Sequence, residues 1–441
     1  MTIQRPKYLD MLTAGQGNGL VKIVTGGRRC GKSFLLFVLF RNYLLRQGVE
    51  EDHIIGISLD DRRSRALRDP DTLLDYIDTR LQKDGKTHYI ILDEIQFVDD
   101  FVGVLLSLTR NPQLDIYVSG SNSRFLSKDV VTEFRGRGDE IHVWPLSFSE
   151  YYSAVGGDRL SAWQDYYTYG GLPLVPQLPT EQKKMEYLQN IYELTYLKDV
   201  IERNRLRNVE GLKQLVQILA SSIGSPVNPT RISNTFKSRE QVSIKPATIK
   251  EYIDYLQDAF LVEGALRYDV KGRKYIGTET KYYFADLGIR NAVLNFRQQE
   301  ESHIMENMIY NELRRRGYLV DVGMVQVWEN NKGDRNVSGY KGGDIGGDNS
   351  SFRDGGSVNG KNNRRKLEVD FVVNRGAERL YIQSVYRMHS PEKRKQEQRP
   401  LLNIGDNFRK VIIVGDDIKS KVDENGIITV SLMDFLLGDS L

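Results

Sequence analysis

The chain has 441 residues, enough for roughly three domains at about 150 residues each. Apolar residues make up 40% and charged residues 27%, as in an ordinary folded protein, and a net charge of +3 excludes a global basic field while leaving room for local basic patches. A single cysteine, Cys30, excludes an intrachain disulfide; with no apolar run near the roughly 20 residues that cross a bilayer and no h-region behind Arg5 and Lys7, a cytoplasmic protein without membrane contact is expected.

The first third alternates two kinds of segment. VKIV (21–24), HIIGISL (53–59), HYIILDE (88–94) and LDIYVSG (114–120) are short, apolar or β-branched, and bounded by turn residues. The intervals between them are long enough for crossover helices, which predicts an α/β fold with a parallel sheet. A fifth strand is expected at EIHVWPL (140–146).

Between the first strand and the apolar run FLLFVLF lies TGGRRCGKS, which fits G-x-x-x-x-G-K-[ST] at Gly26, Gly31, Lys32 and Ser33. Glycines let successive backbone N–H groups wrap an anion, and the following helix aims its positive end at it. Lys32 is expected to reach the β- and γ-phosphates of ATP, and Ser33 to offer its hydroxyl to Mg²⁺. The stretch from Gly26 through Gly27, Arg28, Arg29, Cys30, Gly31, Lys32 and Ser33 to Phe34 is therefore the expected cofactor-binding segment. Arg28 and Arg29 read either as solvent-facing charges or as phosphate contacts.

HYIILDEIQ follows about sixty residues later. Asp93 at the strand end suits a Mg²⁺ ligand, and Glu94 suits a base that polarises attacking water. The next strand ends in VSGSNSR, where Ser121 or Asn122 is placed to sense the γ-phosphate and orient that water, if the sheet has an added central strand. EFRGRGDEIHVWPL then carries Arg135 and Arg137, read either as a basic turn or as arginines reaching a neighbouring subunit's nucleotide.

Together these residues resemble the prokaryotic AAA-type ATPases that carry a C-terminal domain of unknown function. The matching pieces are GGRRCGKS, IILDEIQ, VSGSNSRFL, GRGDEIHVWPLSFSEYY, YGGLP, YLKDVIERN, TIKEYIDYLQDAFLVEG, ENMIYNELRRRGY, LEVDFVV and YIQSVYRM. The resemblance covers nearly the whole chain. It implies an ATPase core with a five-stranded parallel sheet (1–146), a helical lid or linker (147–206), a winged-helix-like region (207–300) and a C-terminal α/β domain of restriction-endonuclease-like fold (301–441). The tract 330–366, rich in Gly, Asn, Asp and Ser, reads as a disordered insertion in that last domain.

In the third region Pro229 and Pro246 are expected to open helices, the second burying Ile249, Ile253 and Leu256. A hairpin turning at Lys271-Gly272-Arg273 gathers Arg267, Lys271, Arg273, Lys274 and Lys281 into a basic wing, which either contacts DNA phosphates or packs on the ATPase. In the fourth, a helix IMENMIYNELRRRG and strands at YLVDVGMVQVW, LEVDFVV and RLYIQSV are expected. An endonuclease-like site there would use Glu306, Glu368 and Asp370 with a D/E-x-K on the next strand, where Gln383-Ser384-Val385 stands instead. The expectation is a degenerate nuclease fold. A Mg²⁺-dependent ATPase is the leading reading, with DNA and a second copy of the chain as its open partner readings; a nucleotide-gated switch for a protein partner and an ATP-gated nuclease are the alternatives.

Overall fold

Five strands form the first sheet of the computed structural model, which describes residues 2–121, 136–240, 244–277, 279–297, 300–329 and 363–438. They are β1 (Val21–Thr25), β2 (Ile54–Ser58), β3 (His88–Asp93), β4 (Leu114–Ser119) and β5 (Gly138–His142), all parallel, in the order β2-β3-β4-β1-β5. β1 and β4 are buried on both faces, as a parallel sheet covered by helices requires. One apolar layer holds Ile55, Ile90, Leu105 and Val118; the other holds Leu36, Phe40, Ile91 and Tyr117. Because every strand runs the same way, Thr25, Asp93 and Ser119 all end on one edge. β4 lies between β1 and β3, which meets the condition of an added central strand set for a sensing group at its end.

The chain then becomes helical at Phe148–Val155, capped by Ser147 and Glu150 in a reciprocal box, and at Arg159–Tyr169. Gly170 and Gly171 turn it back. A Cβ on Gly170 would lie 2.3 Å from an Asp286 oxygen, and Asp286 accepts the Gly171 N–H at 2.7 Å. A long helix follows through Glu181–Ile191, the wider π-type turn Tyr192–Leu197 and Lys198–Asn204.

Next come helices Val209–Ser221, Pro229–Thr235 and Pro246–Asp258. They accompany an antiparallel sheet of β6 (Pro226–Val227), β7 (Val262–Ala265) and β10 (Thr280–Phe284), ordered β6-β10-β7. Both prolines open their helices, and Ile249, Ile253 and Leu256 are buried.

The last sheet has eight strands, in the order β15 (Lys421–Val422), β16 (Ile427–Ser431), β14 (Arg409–Val414), β13 (Glu378–Val385), β12 (Asn363–Arg375), β11 (Leu319–Glu329), β8 (Arg267–Asp269) and β9 (Lys274–Tyr275). Its strands β11 (Leu319–Glu329), β12 (Asn363–Arg375) and β13 (Glu378–Val385) match the expected runs. The helix Glu301–Arg315 lies where IMENMIYNELRRRG predicted it. β12 already begins at Asn363, so the end of the expected insertion is strand; residues 330–362 lie outside the described residues. The sequence reading did not reach helix Pro391–Leu402, β14 (Arg409–Val414), β15 (Lys421–Val422), β16 (Ile427–Ser431) or helix Leu432–Leu437.

The basic hairpin does turn at Arg273, but it is not a projecting wing. Its strands β8 (Arg267–Asp269) and β9 (Lys274–Tyr275) extend the eight-stranded sheet, β8 pairing parallel to β11. That pairing covers the β11 edge at Val322–Met324. Among the described residues no helix is long and apolar enough to cross a membrane.

Candidate nucleotide site

The loop after β1 is built for close backbone approach. Gly26 has φ of 135°, and a Cβ there would sit 2.1 Å from the Val143 carbonyl oxygen, so only glycine is accommodated. A Cβ on Gly27 would lie 2.8 Å from the Tyr196 hydroxyl. That hydroxyl donates to the Arg28 carbonyl at 3.0 Å and so ties the loop to the long helix. Gly31, also at positive φ, precedes the helical run Lys32–Phe34, Leu35–Phe40 and Arg41–Arg46. Cys30 is buried, and its carbonyl accepts from the Arg5 guanidinium at 3.2 Å.

Lys32 is 5% exposed, and its ammonium donates to the carbonyls of Gly26 and Gly27, both at 3.0 Å. Neutral carbonyls hold an ammonium less strongly than phosphate oxygens do. Across the sheet edge, Asp93 accepts hydrogen bonds from the hydroxyls of Ser119 and Ser33. Burial raises the Asp93 carboxyl above its ordinary range, against the pull of those hydroxyls and of Lys32. A serine hydroxyl beside a carboxylate is an all-oxygen donor set that suits Mg²⁺ held jointly with phosphate.

Glu94 adopts a left-handed backbone, φ of 54°, uncommon for a side-chain-bearing residue and concentrated at functional sites. The turn places its carboxylate on the Ser121 hydroxyl at 3.0 Å and on the Gln96 amide. Ser121, one of the two expected sensing residues, is thus beside Glu94; Asn122 and Arg135 lie outside the described residues.

Lys32, Ser33 and Glu94 face a cavity of about 550 Å³ that Arg28, Arg29, Gly31, Phe34 and Asp60 also line. Its far wall is one that sequence reasoning missed: Leu194, Thr195, Lys198, Asp199 and Glu202 on the long helix. Their spacing of three to four residues marks one helical face, and that was the available signal. Asp199 receives Arg28 in an ion pair and Arg203 at 2.8 Å, so Arg28 is engaged rather than solvent-facing, while Arg29 is exposed. Arg137 is not part of this cavity. It precedes the first residue of β5, whose register partner is Val21, at the opposite end of the sheet. Five strand residues put it roughly 17 Å from the loop.

The other expected site residues separate. Glu306 accepts from Lys281 at 3.0 Å and from the Tyr283 hydroxyl at 2.6 Å, and Glu368 pairs with the same ammonium at 2.7 Å. Asp370 takes the Ser384 N–H at 2.7 Å, and burial, then the Glu306 charge, raises its carboxyl well above the ordinary range. Lys281 was expected among the basic wing residues; it is instead 3% exposed, because β10 turns it inward with Tyr283. Arg267 is paired with Glu279, and the Lys271 ammonium donates to the Gln326 carbonyl at 3.1 Å. Arg273 and Lys274 remain exposed.

A family described as "AAA domain" matches residues 18–152, and one described as a domain of unknown function matches residues 160–300. An uncharacterized protein of Haemophilus influenzae is 30% identical over 440 residues, 99% of this chain and 98% of that protein. The chain belongs to that protein's family. Within this chain, the nucleotide loop and the acidic strand end both lie inside the segment that the AAA-domain model matches. An uncharacterized protein of Methanocaldococcus jannaschii is 27% identical over 327 residues, 70% of each chain. Among solved structures, a Walker-type ATPase of Pyrococcus abyssi aligns at TM-score 0.46 and 15% identity, covering 66% of this chain and 96% of that one. An ORC1 protein of Aeropyrum pernix in complex with DNA aligns at TM-score 0.30 and 12% identity, covering 67% of this chain and 93% of that one.

Proposed function

We propose that this AAA-type protein binds ATP with Mg²⁺ in the 550 Å³ cavity and hydrolyses it to ADP and phosphate, using the turnover to move the helical regions downstream. The observation that carries the reading is Glu94, held by Ser121 on the cavity that Lys32 and Ser33 also line. Lys32 leaves its loop carbonyls for the β- and γ-phosphates, and the amides from Gly27 to Ser33 cradle them. Ser33 and Asp93 would hold Mg²⁺, which neutralises charge on the phosphate oxygens. Glu94 orients and deprotonates the attacking water, and Ser121 fixes the Glu94 carboxylate.

The long helix supports coupling to the rest of the chain. Its Tyr196 holds the loop at Arg28, its Asp199 holds the Arg28 side chain, and its Leu194, Thr195, Lys198 and Glu202 line the cavity with Asp199. Phosphate arriving at the loop competes for Arg28 and so loosens its grip on Asp199. The three-helix region with its β6-β10-β7 sheet is read here as winged-helix-like, and the eight-stranded sheet with helix Glu301–Arg315 as endonuclease-like. Contact with DNA, expected through Arg267, Lys271, Arg273 and Lys274, rests on Arg273 and Lys274, since the other two are engaged within the fold.

Arg137 can serve a nucleotide only from a second copy, given its place at the far end of β5. Mixing Arg137→Ala with Glu94→Gln tests this: recovered turnover supports a trans arginine, and no recovery in co-assembled protein removes it. The function itself is tested by ATP hydrolysis measured alone and with duplex DNA, branched DNA and RNA. Turnover in any arm supports an ATPase, and the arm that accelerates it names the partner class. Tight ATP binding without turnover in all arms would replace the reading with a nucleotide-gated switch.

A further inference from the structure

The endonuclease-like reading of the C-terminal sheet implies a divalent metal among Glu306, Glu368 and Asp370. The residues present do not fit one. By strand alternation Gln383 lies on the face of Tyr381 and Val385, which pack with Leu401 of helix Pro391–Leu402. The Gln383 amide accordingly donates to Glu397 of that helix at 3.2 Å. Glu306 projects from helix Glu301–Arg315, whose Ile309 and Leu313 pack with Leu380 and Ile382 of the other face. The strand that would complete a metal set therefore turns its glutamine away from the acidic cluster.

A different cation already occupies the cluster's centre. The Lys281 ammonium lies 3.0 Å from Glu306 and 2.7 Å from Glu368, while Arg267 approaches Glu368 at 3.7 Å. Tyr283, two residues along the same strand, donates to the oxygen of Glu306 that Lys281 also contacts. Lys281 cannot readily swing out, because β10 is paired on both sides, with Pro226 in β6 and Ala265 in β7. A Cβ on Gly224 would lie 3.0 Å from the second Glu306 oxygen, so backbone closes the approach there.

We propose that Lys281 is a built-in counter-ion standing where an endonuclease-like fold would carry its metal, so that the cluster is an ionic lock joining β10 to the C-terminal sheet and not a divalent-cation centre. A metal entering the cluster would meet a cation already bonded to two of its prospective ligands. The partners of the lock come from three segments: Lys281 and Tyr283 from β10, Glu306 from the helix before β11, and Glu368 from β12. The hairpin β8–β9 crosses the same boundary by joining β11, so residues on either side of position 300 are tied twice.

The lock predicts a charge-balance pattern, because breaking a buried pair on one side leaves an uncompensated charge whereas neutralising both sides does not. Melting of the full-length protein is compared for wild type, Lys281→Met and Lys281→Met/Glu306→Gln/Glu368→Gln. The single variant is expected to melt several degrees lower, or not to fold, and the triple variant to regain most of the loss. A second arm titrates nucleotide-free wild type and Asp370→Asn with Mn²⁺, and the expected result is the same binding curve for both. The proposal is overturned if the single variant melts like wild type, if the triple variant is no more stable than the single, or if wild type shows Mn²⁺ binding that Asp370→Asn removes.

Discussion

Lys32 and Lys281 are both buried beside acidic groups, and their partners set them apart. Lys32 bonds only the carbonyls of its own loop, with Ser33, Glu94 and a 550 Å³ cavity beside it. Lys281 bonds two carboxylates directly, inside a region where strands are paired on both sides. An ammonium on neutral carbonyls makes charge-assisted hydrogen bonds of about 1.5–3 kcal/mol, and a carboxylate acceptor adds the attraction of an opposite charge. The first ammonium can thus be recruited by an incoming phosphate, whereas the second is already committed. A buried lysine near acids is a reactive group in one setting and a structural one in the other, and the identity of its acceptors decides which.

The comparison breaks most visibly at Glu94. Glu94→Gln keeps the shape of the turn but removes the base, so ATP turnover should fall by about 10²–10⁴-fold while ATP affinity is retained. Phosphate release and nucleotide titration on the same preparation check this, and near-normal release would mean that another group positions the water.

A smaller effect is expected at the far wall. Asp199→Asn weakens the hold on Arg28 and frees it for phosphate. Partly exposed ion pairs contribute up to about 1 kcal/mol, so ATP affinity should rise by no more than about fivefold. A fall in affinity would show instead that Asp199 is needed to shape the loop.

The smallest effect concerns His142, which feels charges from both regions. Burial, then Arg314 and Lys32, push its pKa down to about 3. Below the ordinary histidine range the unfolded chain takes up a proton that the folded chain refuses, so folding stability drops as pH falls from about 6.5 toward that value. His142→Gln should flatten this part of the stability–pH curve relative to wild type, measured by denaturant unfolding. An equally steep curve would assign the acid sensitivity elsewhere.

How much of this was legible in the sequence follows from how local each signal is. Gly26, Gly31, Lys32 and Ser33 are contiguous, and Asp93 and Glu94 close an apolar strand, so motif and position sufficed. The second wall of the cavity was not legible because Asp199 meets Arg28 across 171 residues of chain. Lys281 was misplaced because a lysine near a hairpin reads as solvent-facing. Its alternation with Tyr283 in Thr280–Phe284 did carry the contrary signal, since both fall on the buried face. Gln383 was likewise assigned to the acidic cluster by analogy, although its shared parity with Tyr381 and Val385 puts it on the opposite face. The strand RKVIIV at Arg409–Val414 carries no motif, only an apolar run that is buried from Val411 onward.

The recruitment of Lys32 by phosphate is the central claim, and ATP titration of wild type against Lys32→Ala in the presence of Mg²⁺ tests it most directly. Loss of a charge-assisted contact of about 1.5–3 kcal/mol corresponds to roughly 10- to 150-fold weaker binding in the variant. Equal affinities for the two proteins would contradict the account, leaving Lys32 as a strut for its own loop.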